Sequence, residues 1–409
     1  MEPSNVLIGV IGKTNVGKST FFSAATEIDV QIGNRPFVTI ESNVGIGYAR
    51  KRCVHIELGL PKCDAFNSIC IEGNRFIPVK IMDVAGLVPG AHEGRGLGNK
   101  FLDDLRRADI FLLIVDASGS SGPDGKPLKP GTYDPVEEVK FILEEIDEWM
   151  YNSIQRDWDK YKKQYGMGII KDPLEAFSQR VSGFGITRKQ VETVLNRIKI
   201  SENELFKIDK ENLKNLVRTM RKLTKPLVIV ANKIDIPEAQ KNIKRLRETF
   251  AEYPIIPVSS MAELILRRLR KKGIIRYIPG DADFKVNSFE KIDKKTRNAL
   301  ELIKDILSKY KGTGVISAIN TALFDSLGLI PVYPVEDINK FTDKQNRVLP
   351  DVILMPKGSN AKDLALRIHS DIAKGFLYAI NARSKQRISS SYLLNENDVI
   401  KIVSTTAKR

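Results

Sequence analysis

Gly12, Gly17, Lys18 and Ser19 are spaced as G-x-x-x-x-G-K-S, the arrangement a phosphate cradle requires. Glycines let the loop wrap closely, so that backbone N–H groups face phosphate oxygens, and a following helix N-terminus adds partial positive charge. Lys18 is expected to bridge the β- and γ-phosphates and the Ser19 hydroxyl to hold Mg²⁺. Asn15, Val16 and Thr20 complete the cradle. Far downstream, Asn232-Lys233-Ile234-Asp235 reads N-K-x-D. The Asp235 carboxylate suits guanine, whose N1–H and exocyclic amino group donate two hydrogen bonds that adenine cannot supply. A site built for that pair rejects the wrong base strongly. Asn232 is expected to brace the loop and the base, and the Lys233 stem to cover one ring face. Ser259, Ser260 and Met261 follow the next apolar run. A backbone N–H of Ser260 or Met261 is expected to reach guanine O6.

Between these motifs lie the groups that would sense the γ-phosphate. Asp83 opens D-x-x-G at the end of an apolar run. Its carboxylate is expected to hold Mg²⁺ through water, and the Gly86 N–H to reach the γ-phosphate. Thr39, among apolar residues downstream of the cradle, would complete the Mg²⁺ shell while its backbone senses the same phosphate. Residues 87–98 contain four glycines, which suits a mobile switch loop. Many GTPases place glutamine directly after the D-x-x-G glycine to orient the attacking water; here that residue is Leu87. Hydrolysis must then rely on backbone, metal ions, His92, Arg95 or a group supplied by a partner. His92 is the candidate base, because imidazole titrates near neutral pH.

Short β-branched runs position these loops. Val6 to Ile11, Val79 to Asp83, Ile110 to Asp116, Pro226 to Ala231 and Ile255 to Val258 read as buried parallel strands. Alternating with helices, they imply a doubly wound α/β P-loop domain. Between Asp116 and Pro226 a long segment intervenes. After a Gly/Pro/Ser-rich loop, Val136, Val139, Ile142, Leu143, Ile146, Met150, Ile154 and Trp158 recur at helical spacing, and so do Val191 to Ile198 and Leu213 to Leu223. These stripes predict an inserted α-helical unit, an antiparallel coiled hairpin. From Pro331 the rhythm changes to short strands around one helix near Asn360 to His369, a small mixed sheet without a catalytic constellation. The expected division is 1–118 with 224–328, then 119–223, then 329–409.

Composition narrows the partners. The 409 residues suit two or three domains at roughly 150 residues each, and 42% hydrophobic content supports ordinary cores. No apolar run approaches the ~20 residues a bilayer span needs. No secretory leader is visible, so a cytoplasmic location without membrane contact is expected. Cys53, Cys63 and Cys70 are too few and too odd in number for a disulfide framework, and without C-x-x-C spacing they argue against a metal site. The net charge of +15 points to a polyanion such as RNA or a ribonucleoprotein, against a lysine-rich surface typical of the source; nothing singles out DNA. The runs Arg267 to Lys272 and Arg218, Arg221, Lys222 and Lys225 are candidate phosphate contacts. No apolar stripe is left over for an interface, so a monomer is expected.

Taken together, the P-loop, the Thr39 region, N-K-x-D, the terminal module and above all residues 86–102, Gly-Leu-Val-Pro-Gly-Ala-His-Glu-Gly-Arg-Gly-Leu-Gly-Asn-Lys-Phe-Leu, resemble the YchF subfamily of Obg-related GTPases over essentially the whole chain. The resemblance implies a GTPase domain, an inserted helical domain and a C-terminal TGS domain of β-grasp fold. Leu87 is similar to the hydrophobic substitution that defines glutamine-lacking GTPases, and Asn15 resembles a P-loop asparagine that holds K⁺ in some of them. Family members associate with ribosomes. Some relatives hydrolyse ATP but have an altered N-K-x-D, whereas this chain keeps the motif. GTP and GDP are therefore the expected ligands, with an ATPase or an RNA-binding adaptor of negligible turnover as rivals.

Overall fold

The structure is a computed structural model and describes residues 6–26, 43–84, 104, 106–288 and 292–405. Its main sheet has seven strands: β1 (Leu7–Ile11), β2 (Val44–Arg52), β3 (Ile69–Ile71), β4 (Asn74–Asp83), β5 (Ile110–Asp116), β6 (Leu227–Asn232) and β7 (Ile255–Pro257). The order is β2-β4-β1-β5-β6-β7, with β3 on the free flank of β4. β4, β1, β5, β6 and β7 run parallel, and β2 and β3 pair antiparallel to β4. Strand β1 sits where the order reverses, which is where α/β sheets open a crevice at their C-terminal ends. The register pairs Val10 with Asp83, so the metal-side acid lies beside the strand that enters the phosphate loop.

Alternation within the strands builds two cores. Leu7, Ile11, Phe111, Leu113, Val115 and Ile229 face one way and pack with the inserted helices. Ile8, Val10, Leu112, Ile114, Val228 and Val230 face the other, with the helix Lys18–Thr26 and parts of the C-terminal sheet. Period-two side-chain direction is the cause, and burial on both faces explains the near-continuous apolar runs.

The insert is helical, as expected, but more compact than a two-helix coiled hairpin. Five helices, Pro135–Gln155, Trp158–Gly166, Pro173–Val181, Arg188–Ile198 and Lys210–Thr224, surround aromatic contacts. Trp158 lies 5.2 Å from Phe206 and 5.8 Å from Phe177, and Trp149 meets Phe184 edge-on at 5.2 Å. Trp158 does not extend the stripe of the first helix, which ends at Gln155; it opens the next one.

The C-terminal strands are β10 (Leu329–Pro334), β11 (Ile353–Pro356), β12 (Phe376–Asn381), β13 (Gln386–Ile388) and β14 (Val399–Ser404), after a small hairpin of β8 (Ile275–Arg276) and β9 (Lys285–Val286). They form a mixed sheet in the order β11-β10-β14-β12-β13, with Ala361–Ile368 as the helix. This is the β-grasp arrangement. The Asn360 side chain caps that helix in a capping box.

Two of the basic residues offered as phosphate contacts are structural instead. Arg221 is buried against Asp147. Arg267 is buried on Glu263 at 2.6 Å, and Glu263 also accepts from Tyr277 at 2.7 Å and from Thr313. Burial and the adjacent Glu263 push the Tyr277 hydroxyl well above its usual range. A charge run cannot report which members turn inward; the fold does. Glu263→Ala leaves Arg267 buried without its counter-ion and is expected to cost about 3–5 kcal/mol. Urea unfolding measures it, and a loss below about 1 kcal/mol, the size of an exposed pair, would contradict the assignment.

Candidate nucleotide-binding site

The phosphate loop leaves β1 and returns into the helix Lys18–Thr26. Two glycines are there for steric reasons. Gly12 has φ 148° and a Cβ on it would meet Ile114 O at 2.4 Å; Gly17 has φ 98° and a Cβ would strike Asn232 Nδ2 at 2.3 Å. Asn15 takes φ 62° between them. Lys18 Nζ donates to Lys13 O at 2.7 Å, so the ammonium is folded back into its own loop. Burial lowers the Lys18 pKa, and the charges of Asp83 and Glu138 oppose that shift. Ser19 Oγ donates to Asp83 Oδ2 at 3.4 Å. Burial pushes the Asp83 carboxyl up, against Lys18 and the Ser19 hydrogen bond. Two adjacent oxygen ligands, the Ser19 hydroxyl and the Asp83 carboxyl, fit the hard, oxygen-seeking Mg²⁺. Thr39, Gly86 and His92, like Leu87 and Arg95, lie outside the described residues.

Asn232 joins the base loop to the phosphate loop. Its Nδ2 donates to Val16 O at 2.8 Å, while its Oδ1 accepts from the Ser260 N–H at 3.1 Å and Ser260 Oγ at 2.9 Å. The Ser260 amide, one of the two expected at guanine O6, is thus committed to Asn232. Met261 is in the first turn of the helix Ser260–Lys271, where amides lack intrahelical partners. Ser259 Oγ donates to Asp235 Oδ1 at 2.7 Å. Thr20 lies in the first turn of its helix, half-buried.

Sequence reasoning missed what holds Lys233. This residue adopts φ 66°, and its Nζ is tied to Asp116 Oδ2 at 2.9 Å, Ser121 Oγ at 3.1 Å and Ser120 Oγ at 3.2 Å. Burial alone would raise the Asp116 carboxyl, but hydrogen bonds from Lys233, Ser118 and Ser121 outweigh it and hold the group below the usual carboxylate range. The signal was Asp116 at a strand end followed by S-x-S-S. The same loop clamps the phosphate loop from outside: Ser121 Oγ donates to Asn15 O at 3.1 Å and Asn15 Nδ2 donates to Gly125 O at 2.7 Å. Below it, Lys13 Nζ meets Glu138 Oε2 at 3.0 Å with both side chains buried.

Four separated segments therefore converge on one crevice at the C-terminal ends of β1, β4, β5 and β6. The chain matches the family model 50S ribosome-binding GTPase over residues 7–155, Obg-like GTPase YGR210-like, G4 motif-containing domain over 230–337, and TGS domain over 342–404. It is 49% identical to a GTP-binding protein of Methanocaldococcus jannaschii, across 97% of this chain and 99% of that one. Ribosome-binding ATPase YchF of Mycoplasma genitalium is 28% identical, across 90% and 86%. The chain belongs to the YchF subfamily of Obg-like P-loop GTPases. The crystal structure of a GTP binding protein from Pyrococcus horikoshii OT3 superposes with TM-score 0.78 at 38% identity, covering 99% and 100% of the two chains. As a YchF member, the chain is a P-loop nucleoside triphosphatase.

Burial raises the carboxyl pKa of Glu138 in this YchF chain to about 7 from 4.5, with Lys13 opposing the shift. The folded state binds that proton more tightly than the unfolded state, so the associated stability is full below pH 4.5 and is lost as pH rises through about 7. Measured against Glu138→Gln, wild-type unfolding free energy is expected to fall by about 3 kcal/mol across that window. Urea titrations on both sides of it test this; a difference that does not change with pH would contradict it.

Proposed function

We propose that this YchF protein is a GTP-hydrolysing molecular switch that lacks the usual catalytic glutamine and acts on the ribosome. The guanine reading is carried by the Ser259–Asp235 hydrogen bond. It fixes one carboxylate oxygen and so orients the group before any base arrives. Asn232 supports the reading, since it couples the base loop to the phosphate loop through Val16. In this scheme Lys18 and the amides of residues 15–20 bind the phosphates, Lys233 lies over the base, and Met261 N–H meets O6. Ser19, Thr39 and Asp83 are the Mg²⁺ residues; when bound, the ion offsets charge on the β- and γ-phosphates. Asn15, with its amide nitrogen on Gly125 O, keeps its side-chain oxygen for K⁺. Gly86 and Thr39 sense the γ-phosphate. With Leu87 unable to orient water, that task falls to the backbone, bound ions, His92, Arg95 or a partner.

The net charge of +15 and the ribosome-binding name of the Mycoplasma relative support a ribosomal or RNA partner. Among the described residues no helix is long and apolar enough to cross a membrane. We further propose a cytoplasmic monomer divided into a nucleotide domain of 1–118 and 224–328, an inserted helical domain of 119–223 and a TGS domain of 329–409. GTP and GDP would hold the 87–98 loop differently and thereby change ribosome affinity.

The test is single-turnover GTP hydrolysis with and without ribosomes, in K⁺ and in Na⁺. Acceleration by ribosomes and by K⁺ is expected. No acceleration by ribosomes would favour an RNA-binding adaptor. A second reading, ATP hydrolysis, is favoured by the ATPase names of relatives from Mycoplasma genitalium and Bacillus subtilis, and ATP binding as tight as GTP binding would establish it.

A further inference from the structure

All three cysteines of the chain meet one of its histidines at the end of the sheet away from the nucleotide. Cys53 and His55 stand at and just after the end of β2, Cys63 is in the loop that follows, and Cys70 is in β3, opposite Arg75 of β4. Asp83 is at the other end of β4, roughly 25–30 Å away at about 3.3 Å per strand residue. One donor atom from each of Cys53, His55, Cys63 and Cys70 lies within 4.8 Å of all the others. Cys53 Sγ is 3.7 Å from Cys63 Sγ, and Cys70 Sγ is 3.8 Å from His55 Nδ1.

We propose that Cys53, His55, Cys63 and Cys70 form a structural zinc site that fastens the β2–β3 loop to the C-terminal sheet. Three thiolates and one imidazole are a closed zinc ligand set, and Zn–S bonds of about 2.3 Å in a tetrahedron place sulfur atoms about 3.8 Å apart. The Cys53–Cys63 and Cys70–His55 separations match such edges, and all four donor atoms fall within 4.8 Å of one another. Disulfide chemistry would pair two of the three thiols and strand the third, whereas zinc uses them all. Zn²⁺ with three thiolates carries one net negative charge. Arg75, fully buried, supplies the opposite charge, and its Nη1 donates to Cys63 Sγ at 3.4 Å. Such outer hydrogen bonds orient ligands and tune the metal.

The same guanidinium reaches the C-terminal module. Arg75 Nη2 donates to Leu349 O at 2.8 Å and to Pro350 O at 3.0 Å. The loop that carries Cys63 pairs with that segment residue by residue: Asp64 N–H donates to Val348 O, Phe66 N–H to Pro350 O, and Asn67 exchanges two hydrogen bonds with Val352. This loop has little regular structure between residues 58 and 68. A metal replaces the core it lacks, because binding free energy becomes folding free energy. Zinc would thus set how firmly the TGS sheet is held against β2 and β4, the strands flanking the residues that sense the γ-phosphate.

Elemental analysis of the full chain, purified reduced and dialysed against EDTA, is expected to find one zinc per chain. Stripped, reduced protein titrated with Co²⁺ should give the visible absorption of a tetrahedral thiolate site, bleached by one equivalent of Zn²⁺. Cys63→Ser with Cys70→Ser should lose the metal and His55→Cys should keep it. Zinc loss should speed hydrogen exchange at the amides of residues 348–352 while GTP affinity is retained. If the double variant does not fold, the Co²⁺ titration of the wild type decides alone. Failure of the reduced wild type to take up either ion would overturn the proposal, as would zinc retained after both cysteines are replaced, or a native mass showing a disulfide.

Discussion

Lys18→Ala is expected to lower triphosphate hydrolysis by about 10²–10³-fold, the loss typical when one preorganised donor to developing charge is removed, and to weaken nucleotide binding with it. The lysine is half-buried beside the loop it serves. Its Nζ already sits on Lys13 O, within the phosphate loop. Asp83 and Glu138 favour the charged form against burial. Removing the ammonium leaves the Asp83 carboxylate without the neighbouring positive charge that offsets it. Lys18 Nζ makes one hydrogen bond to a carbonyl, so thermal stability should change little. That separates a binding defect from a folding defect. Turnover within a few-fold of wild type in a single-turnover assay would show that the phosphates sit elsewhere.

The second large effect is on the base. Asp235→Ala removes two charge-assisted hydrogen bonds of about 1.5–3 kcal/mol each, so guanine nucleotide affinity should fall about 10²–10⁴-fold while ATP affinity changes little. Asp235→Asn makes a sharper test. Xanthine carries a carbonyl where guanine has its exocyclic amino group, and a side-chain amide can accept from N1–H while donating to that carbonyl. The variant should therefore prefer XTP over GTP. Ser259→Ala should weaken guanine binding more mildly, since it frees the carboxylate without deleting it. Competition titrations with GTP, ATP and XTP measure all of this, and unchanged GTP affinity in Asp235→Ala would show that the carboxylate does not read the base.

What could be read from the chain was local. Gly12 to Ser19 and Asn232 to Asp235 are short motifs whose chemistry depends on neighbours in sequence, and the apolar runs before them can only be buried strands. The small mixed sheet around one helix after Pro331 was visible for the same reason, while its β-grasp order came only from the family resemblance. What escaped was made by contacts between distant segments. Asp116 gains its role because β5 lies beside β6, which brings Lys233 onto it across 117 residues. Trp158 continues a helical period on paper, yet a break after Gln155 sends it into a separate aromatic cluster. Arg267 belongs to a basic run, and only packing against Glu263 turns it inward. The cysteines lack paired spacing, so the motif rule argued against metal; the hairpin of β3 and β4 brings Cys70 back beside Cys53, which no count of intervening residues reveals.

The most direct test of the central claim is calorimetry on nucleotide-stripped full chain with Mg²⁺, titrating GTP, GDP and ATP separately. GTP and GDP are predicted to bind one site per chain, with ATP at least about 10²-fold weaker. No heat from either guanine nucleotide, or ATP binding as tight as GTP, would contradict it.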